Sequence, residues 1–448
     1  MASKPSIRLK YAPDELSGSI RLPISKSLSN RGLVLEFLSC NDIDKLEISS
    51  ANDSQLLKSI LTSGLQEDEI YVEDAGTVAR FTLAICAVID ANTRLINGTK
   101  RMHQRPMKPL TDALIQLGAK IDFLEKDGFL PLKITGTKNP NSNCQLDPSL
   151  SSQFLTALLI IAPKLPRNFT IELLSEITSR PYAEMTFELL KQYGFEVIEI
   201  GSSFKIQNSK FKIQSLKSLT EGDWSAAIYS MFFNTLAYKS KHKETKSKTS
   251  LFEEKDVRSP KSKVQSRRSY SNFRIQNLKF DSLQGDRYID ELLAQLGIEM
   301  MFDKEGVSSR IVSKPADNIE LDFSKNPDLA QPFACYMVAR KLTGKLTGLH
   351  TLKHKEADRI KALKTELTKV GAIIKTTDTT LKVIGYTKLK TQNSKLKTHN
   401  DHRMAMSLAL IQFVHPEFEI ENPEVVSKSF PEFWQTLESL GFHYKLTE

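Results

Sequence analysis

Apolar positions recur along the chain in one repeated pattern, a short amphipathic helix that ends near a glycine and precedes a strand-like apolar run. Apolar side chains three and four residues apart predict the helices, and a glycine after the last turn is typical of a helix C-terminus. The segment MTFELLKQYGFEVIEI is one example. The pattern occurs six times, with the glycines Gly64, Gly118, Gly194, Gly297, Gly371 and Gly441. The chain is therefore predicted to contain six related α/β units.

The six units are spaced almost evenly. Successive glycines are 54, 76, 103, 74 and 70 residues apart, and leaving out residues 239–270 reduces the longest spacing to 71. This period is longer than that of solenoid repeats. The 448 residues also exceed the size of a single hydrophobic core, which rarely grows past roughly 250–300 residues. We therefore expect two large domains of three units each.

Residues 239–270 interrupt the pattern and carry most of the net charge. They contain eleven Lys or Arg against four Asp or Glu, a net charge of +7 out of +9 for the chain. Few of them are large and apolar, so the segment buries too little surface to offset the entropy lost on ordering. We expect a flexible basic insertion. Nucleic-acid binding is the alternative, but it favours interleaved aromatic residues, and the segment has only Phe252 and Tyr270.

The cysteines and the N-terminus predict a cytoplasmic protein. Cys40, Cys86, Cys144 and Cys335 are too far apart for a CxxC metal pair or a dense disulfide framework, so we expect reduced, mostly buried thiols. The sequence MASKPSIRLKYAPDE lacks the apolar region of a signal peptide. No apolar run approaches the ~18 residues that span a bilayer.

Several dense polar phrases stand outside the repeat. In RLPISKSLSNRGLV, Lys26 and Ser27 lie at the predicted start of a helix and Arg31 lies about one turn later. The free N–H groups and the positive dipole end of such a helix favour anions. The alternative is a serine cap with solvated basic neighbours. By itself the phrase fits both interpretations.

Other phrases leave the same choice between an anion site and ordinary capping. DAGTVARF holds Gly76 in a small-residue turn, where backbone amides can approach a ligand. RMHQRPMK supplies Arg105, whose planar fork suits phosphate and carboxylate oxygens. Polar residues that bind phosphates and hydroxyls, or cap helices, are Ser151, Ser152 and Gln153 in LSSQFL and Ser179 and Tyr182 in TSRPYAE.

The last third of the chain contains the densest clusters of charged and titratable residues. KNPDLAQ places Asp328 at a predicted helix start, and LKHKEADRIKAL holds Lys355, Glu356 and Arg359 within five residues. In HNDHRMAM, a salt-bridged helix cap is favoured over a catalytic function for Asp401 and His402. No set of His, Cys and carboxylates recurs at zinc-ligand spacing, and neither a Walker loop nor GxGxxG follows a strand.

In this order, the phrases resemble the 5-enolpyruvylshikimate-3-phosphate (EPSP) synthase family, from about residue 16 to 444. The motifs that carry the resemblance are SKSLSNR, AGTVAR, RMHQRPM, SSQFL, RPY, EGDWSAA, QGD, PD, KEADR, NDHRMAM and KSFPEFW. The resemblance implies the inside-out α/β fold of enolpyruvyltransferases, with two domains of three βαβαββ repeats. It implies a discontinuous domain, 1–22 with 223–448, and an inserted domain, 23–222.

The resemblance also implies a reaction and its ligands. Phosphoenolpyruvate and shikimate 3-phosphate would give 5-enolpyruvylshikimate 3-phosphate and phosphate, in the pathway to chorismate and aromatic amino acids. The implied shikimate 3-phosphate ligands are Lys26, Ser27, Arg31, Ser151, Ser152, Gln153, Ser179, Tyr182, Asp328 and Lys355. The implied phosphoenolpyruvate ligands are Lys26, Gly76, Arg105, Gln153, Arg359, Arg403 and Lys428.

Addition followed by elimination needs a base at the 5-hydroxyl and an acid at the methylene carbon. The resemblance implies Asp328 at the hydroxyl, Glu356 for proton transfer and Lys26 as a shared catalytic cation. Because the surrounding cations can stabilise the charge that develops, we expect no cofactor and no metal. We expect no nucleic-acid or membrane partner, and a monomer.

Three residues depart from the family pattern. Trp224 and Val78 stand where small residues are usual, and Thr351 replaces an asparagine with a longer reach toward shikimate. The basic insertion is a fourth departure. The related UDP-N-acetylglucosamine enolpyruvyltransferases remain the alternative within the fold, but their mobile loop normally carries a cysteine, and KRMHQRPMK has none.

Overall fold

The structure is a computed structural model that describes residues 5–208, 219–244, 272–388 and 395–447. Its α-helices, in chain order, are α1 (Lys26–Leu38), α2 (Asn52–Thr62), α3 (Gly76–Ile89), α4 (Lys108–Gln116), α5 (Ser152–Ile160), α6 (Arg180–Gln192), α7 (Trp224–Glu244), α8 (Asp290–Gln295), α9 (Ala330–Ala339), α10 (Arg359–Lys369), α11 (His402–Val414) and α12 (Phe433–Ser439).

The strands are short and separate these helices. In chain order they are β1 (Ser6–Tyr11), β2 (Gly18–Arg21), β3 (Glu69–Tyr71), β4 (Thr93–Asn97), β5 (Lys120–Phe123), β6 (Leu132–Thr135), β7 (Asn143–Leu146), β8 (Phe169–Leu173), β9 (Phe195–Ile200), β10 (Ser203–Asn208), β11 (Phe273–Gln276), β12 (Ile298–Asp303), β13 (Gly306–Ile311), β14 (Ile319–Asp322), β15 (Gly344–Thr347), β16 (Ala372–Thr376), β17 (Leu381–Tyr386), β18 (Lys395–Lys397), β19 (Glu419–Glu421) and β20 (His443–Thr447).

Within the described ranges, five four-stranded sheets share one topology. Their orders are β3-β4-β6-β5, β7-β8-β10-β9, β2-β11-β13-β12, β14-β15-β17-β16 and β18-β19-β1-β20. In each sheet the first two strands pair in parallel and the others pair antiparallel. A parallel pair needs a crossover, and a helix supplies it, as α3 does between β3 and β4. The predicted βαβαββ repeat is therefore confirmed in these units.

The unit around Gly64 differs from the other five. It supplies α1 and α2 but no four-stranded sheet within the described part of the chain. The other five repeat glycines have positive φ, between 73° and 107°, as a left-handed helix end requires. Gly64 instead opens a 3-10 turn, Gly64–Gln66.

Both ends of the chain lie in the sheet β18-β19-β1-β20. Strand β1 is the central neighbour of β19 and β20, and Ser6 pairs with Glu421 on one side and Thr447 on the other. The N-terminal strand thus occupies the place that the fourth strand of the unit takes in the other sheets. The last unit is complete only when both ends of the chain are present.

The buried apolar residues form two separate cores. One draws on residues 28–219, which we call the inserted half. The other draws on residues 7–22 and 224–442, which we call the discontinuous half. The chain passes between the halves twice, and the two passages pair at a bridge between Ile24 and Gly222.

Helices occupy the middle of each core and the sheets lie outside them. Nearly every residue of α3 and α5 in the inserted half and of α9 and α11 in the discontinuous half is buried. A helix that is apolar on all sides lies inside a core. Phe232 of α7 and Tyr336 of α9 stack with ring centroids 4.1 Å apart. This is the predicted inside-out α/β arrangement.

Three further predictions from the sequence concern the cysteines, membrane-spanning helices and the basic insertion. Cys86, Cys144 and Cys335 are buried and Cys40 is exposed, all as free thiols. Among the described helices, none combines the length and apolar character that crossing a bilayer requires. The predicted basic insertion spans 239–270; helix α7 continues through its first six residues, and 245–270 lie outside the described residues.

Candidate active site

A cleft with about 870 Å³ of empty space lies where the two halves meet. Its walls are the first turns of helices. The inserted half contributes the starts of α1, α3, α5 and α6, and the discontinuous half contributes those of α10 and α11 and the 3-10 turn Pro327–Leu329 before α9. Each start presents the positive end of a helix dipole, so together they favour anions.

The structure brings the predicted site residues together. Those that line the cleft are Lys26, Ser27, Arg31, Gly76, Arg105, Ser151, Ser152, Gln153, Ser179, Tyr182, Asp328, Lys355, Glu356, Arg359 and Arg403. Lys428 lines an adjoining recess instead. It stays connected to the cleft because its Nζ lies 3.9 Å from Oε1 of Glu356.

Arg31 is buried, and its hydrogen-bond partners are neutral. Its Nε donates to Oγ1 of Thr186 at 2.8 Å and its Nη2 to the carbonyl of Tyr182 at 3.1 Å, and no carboxylate of the described residues pairs with it. Burial lowers the pKa of Arg31 to about 10. A buried cation without an acidic partner is poised to accept an anion.

The polar residues near Arg31 hold one another in place. The hydroxyl of Ser151 caps α5 by accepting from the N–H of Gln153 at 3.3 Å. The amide of Gln153 donates to Oγ1 of Thr77 at 3.1 Å and accepts from Nη1 of Arg80 at 3.0 Å. Ser179 has a left-handed backbone (φ 56°) directly before α6. These contacts fix the hydroxyl and amide groups that face the cleft.

Gly76 makes room for Arg105. A Cβ at position 76 would lie 2.4–2.5 Å from the guanidinium of Arg105, so a side chain there would have to displace that guanidinium. Arg105 in turn donates to the carbonyl of Asp74 at 3.3 Å. Glycine is therefore needed here for a close approach rather than for a positive φ.

Arg359 is the centre of a carboxylate cluster in the discontinuous half. Its Nε lies 2.6 Å from Asp401, its Nη1 2.7 Å from Asp328 and its Nη2 2.8 Å from Glu356. Asp328 also contacts Nζ of Lys355 at 3.1 Å and Nη2 of Arg403 at 3.5 Å. The guanidinium thereby fixes the distance between the two predicted catalytic carboxylates.

The carboxyls of Asp328 and Glu356 are both ionised in this arrangement. Burial alone would raise the pKa of Asp328, but the charges of Lys355, Arg403 and Arg359 outweigh it and lower that pKa. Burial likewise opposes ionisation of Glu356, and Arg359 and Lys428 lower its pKa well below the usual range. The positive charges of the cleft therefore determine both protonation states.

Asp401 follows the cap interpretation, whereas His402 lines the cleft and takes no part in the cap. Both oxygens of Asp401 are used: Oδ1 accepts from the N–H of Arg403 at 2.9 Å at the start of α11, while Oδ2 pairs with Arg359. His402 is buried, and neither ring nitrogen has a partner among the described residues. Burial and the charge of Lys26 lower the pKa of His402 well below its usual value, so its ring is neutral.

The comparisons with known proteins agree on one family. The sequence model of "EPSP synthase (3-phosphoshikimate 1-carboxyvinyltransferase)" matches residues 40–240 and 269–437. A 3-phosphoshikimate 1-carboxyvinyltransferase of Bacteroides fragilis is 33% identical, covering 98% of this chain and 99% of the relative. The chain belongs to the EPSP synthase family. A relative of the same name from Colwellia psychrerythraea is 29% identical, over 94% of this chain and 96% of its own.

Solved structures show the same fold beyond the EPSP synthase sequences. An EPSP synthase from Acinetobacter baumannii superposes with a TM-score of 0.64 at 16% identity, covering 100% of both chains. The enolpyruvyl transferase NikO from Streptomyces tendae gives a TM-score of 0.66 at 14% identity, covering 99% of each. At these identities the likeness supports the fold alone.

The residues that the sequence prediction missed include one charged residue of the cleft and two of the adjoining recess. Asp53, in the first turn of α2, pairs with Nζ of Lys26 at 3.0 Å. Asp74 pairs with Nζ of Lys428 at 2.7 Å across the two halves. Arg101 binds backbone carbonyls of the opposite half. Asp53 has no motif around it, whereas Asp74 and Arg101 are the first residues of the quoted phrases DAGTVARF and RMHQRPM and could have been noticed there.

Proposed function

We propose that this cleft is the active site for the reaction of the EPSP synthase family. The family membership establishes the reaction itself, enolpyruvyl transfer to shikimate 3-phosphate in aromatic amino acid biosynthesis. One observation carries the site assignment. Fifteen of the sixteen predicted site residues, from motifs spread along the whole chain, line the same cleft between the halves.

The two halves take different substrate groups in this proposal. Shikimate 3-phosphate binds through its phosphate to the inserted half, where Lys26, Ser27 and Arg31 lie close to the hydroxyls of Ser151, Ser152 and Ser179. Phosphoenolpyruvate binds between Arg105 of the inserted half and Arg359, Arg403 and Lys428 of the discontinuous half. Arginine forks suit its phosphate and carboxylate groups because they can donate two parallel hydrogen bonds.

The carboxylates then move the protons. The 5-hydroxyl oxygen forms a bond to C2 of phosphoenolpyruvate and its proton passes to Asp328, while Glu356 gives a proton to the methylene carbon. In the elimination, that methyl group returns a proton to Glu356, and the C–O bond to phosphate breaks. The leaving phosphate takes the bonding pair and accepts the proton held by Asp328.

The charges around Glu356 support its role as a proton donor. In the structure Arg359 and Lys428 hold it ionised. An anionic substrate that binds these cations weakens their effect on Glu356, so its pKa rises on binding and the carboxyl can take up the proton it later delivers. Binding of phosphoenolpyruvate thus favours the protonated form of Glu356, which is the form that donates the proton.

We also propose that the two halves are the domains 1–22 with 223–448 and 23–222, since each has its own core. That the active unit is a monomer stays a prediction from the sequence. The cytoplasmic location and the lack of need for a cofactor remain predictions from the sequence.

The test measures phosphate release with shikimate 3-phosphate or with UDP-N-acetylglucosamine as the acceptor. We expect turnover with shikimate 3-phosphate only. Asp328→Asn should lower kcat at least ~100-fold, the scale of a lost acid or base, and keep the affinity for shikimate 3-phosphate within about threefold. Asp317→Asn, at an exposed position outside the cleft, is the matched control. Near-normal turnover of Asp328→Asn would refute the role of Asp328.

A further inference from the structure

Arg101 reaches from one half of the molecule to the backbone of the other. It lies in the turn before the 3-10 segment Met102–Gln104, on the inserted half. Its Nε donates to the carbonyl oxygen of Glu356 at 3.0 Å and its Nη2 to that of Lys355 at 2.5 Å. One rigid fork thus binds two successive carbonyls across the cleft.

The two carbonyls belong to the loop that carries the predicted proton donor. This loop connects the 3-10 turn Leu352–His354 to α10. The side chain of Lys355 contacts Asp328, and that of Glu356 contacts Arg359. A guanidinium that fixes both carbonyls therefore also fixes the directions in which these two side chains leave the backbone.

A second contact within the turn fixes Arg101. Its Nη1 donates to Oε1 of Gln104 at 3.1 Å. Glu356 and Asp358 also attract its charge. The planar guanidinium presents its donors in a fixed geometry, so a bond to Gln104 on one side orients the bonds to the loop on the other.

The other contacts between the halves do not hold this loop. Lys428 pairs with Asp74, and at the rim Ser50 meets Glu432 at 3.2 Å. These contacts join side chains or bind the carbonyl of Asp74, away from the backbone of residues 355 and 356. If the halves separate, the loop loses both bonds from Arg101 at once.

We propose that Arg101 is a positioning residue that makes the placement of Glu356 depend on closure of the two halves. In the open enzyme the Lys355–Glu356 backbone is released, and the proton donor is aligned only when the cleft closes over its substrates. Closure that completes a catalytic site is a known way to tie chemistry to substrate binding. The inference rests on the proposed role of Glu356 in proton transfer.

The test compares Arg101→Ala, Arg101→Lys and Lys100→Met. Lys100 is the neighbouring exposed cation of the same turn, so its variant controls for charge. We expect kcat of Arg101→Ala to fall at least ~10-fold, because small misplacements of reacting groups cost much rate. Since the other shikimate 3-phosphate ligands remain in place, its KM for that substrate should stay within about threefold. Arg101→Lys, which keeps one donor group, should be intermediate.

Chemical rescue separates positioning from structural damage. Guanidinium chloride at about 50 mM, far below denaturing concentrations, should raise kcat of Arg101→Ala at least ~3-fold and leave Lys100→Met unchanged. Titration with shikimate 3-phosphate counts the sites that are folded. A purely structural role would reduce that count and leave kcat per site at the parent value.

The outcomes are distinct. If the parent releases phosphate and Arg101→Ala keeps its kcat within twofold, Arg101 does not position the donor and the inference is wrong. A loss of kcat without guanidinium rescue in a fully folded variant also contradicts it. If instead the parent releases no phosphate with shikimate 3-phosphate, the proposed function fails and not the role of Arg101 alone.

Discussion

Near the cleft, the two halves of the molecule bury their arginines in opposite ways. In the inserted half, Arg31 and Arg80 bond to hydroxyl, carbonyl and amide oxygens, and burial lowers the pKa of both. In the discontinuous half, burial also opposes the charge of Arg359 and Arg403. There the nearby carboxylates outweigh it, led by Asp401 for Arg359 and Asp328 for Arg403, and they raise both pKa values.

This difference in arginine pairing fits the two tasks in the proposed function, binding of phosphate and proton transfer. A cation with neutral partners keeps its charge available, so the inserted half can gain most from a bound phosphate. Cations that are already neutralised hold carboxylates in a fixed geometry, which suits proton transfer. The effect on the free energy of unfolding also differs. An unpaired buried charge destabilises the fold, whereas the partner of a paired charge compensates for its loss of hydration.

The largest effect on stability should come from Arg359→Met. The substitution leaves Asp328, Glu356 and Asp401 without their shared partner, and breaking a buried ion pair costs about 3–5 kcal/mol. Both tryptophans, Trp224 and Trp434, lie in the core of this half, so urea unfolding followed by tryptophan fluorescence reports on it directly. A loss below about 1 kcal/mol would show that the carboxylates do not depend on Arg359.

Arg31→Met should separate binding from stability. We expect the affinity for shikimate 3-phosphate to fall about 100-fold, which corresponds to ~2.7 kcal/mol. The fold should be as stable as the parent or more stable by about 1 kcal/mol, since removing an unpaired buried charge removes its desolvation cost. Calorimetric titration and circular dichroism measure the two effects. Destabilisation as large as that of Arg359→Met would remove the contrast between the halves.

Gly76→Ala should act on one substrate only. The new methyl group must displace the guanidinium of Arg105. We expect the KM for phosphoenolpyruvate to rise about tenfold, ~1.4 kcal/mol, with the KM for shikimate 3-phosphate unchanged. The control is Gly64→Ala, where a Cβ would be 3.6 Å from Ile60, an ordinary contact. Equal effects of the two variants would contradict the packing of Arg105 on Gly76.

The smallest effect concerns acid stability without ligand. The pKa of Asp328 and Glu356 is lower in the folded chain than the ~4 of an unfolded one. Their stabilisation is therefore complete above about pH 5 and is lost as the pH falls toward the folded values. Unfolding by urea between pH 6 and pH 3.5 should show a shallower acid decline for Glu356→Gln than for the parent. Parallel declines would exclude a contribution from Glu356.

Much of the fold was predictable because helices and turns leave patterns in short stretches of the sequence. The period of apolar residues and the glycines predicted five units that the structure contains, and the polar phrases marked helix starts such as Lys26 and the cap Asp401. Gly64 shows the limit of this signal. A glycine after a helix is compatible with several turns, and nothing in the local sequence distinguishes a 3-10 turn from a left-handed cap.

The pairing within the cleft was not predictable in the same way. Arg31 and Arg359 look alike in the sequence, each among polar neighbours, and their difference comes from Thr186, Tyr182 and Asp401, which lie 42 to 155 positions away. Asp53 acquires its importance from Lys26, 27 positions away, and Arg101 acquires its own from the backbone of the opposite half. Such long-range pairs depend on how the helix starts converge, which a single sequence does not encode in any local pattern.

The sheet that joins both chain ends has a consequence for biosynthesis. The inserted half has its complete core once residue 219 has left the ribosome. In the discontinuous half, β1 precedes the inserted half along the chain, but β1 pairs with β19 and β20, which follow the inserted half by about 200 residues or more. Because domains fold as units during translation, the half with the carboxylates forms last. A nascent chain therefore completes the half that holds Arg31 well before it completes the half that holds Asp328 and Glu356.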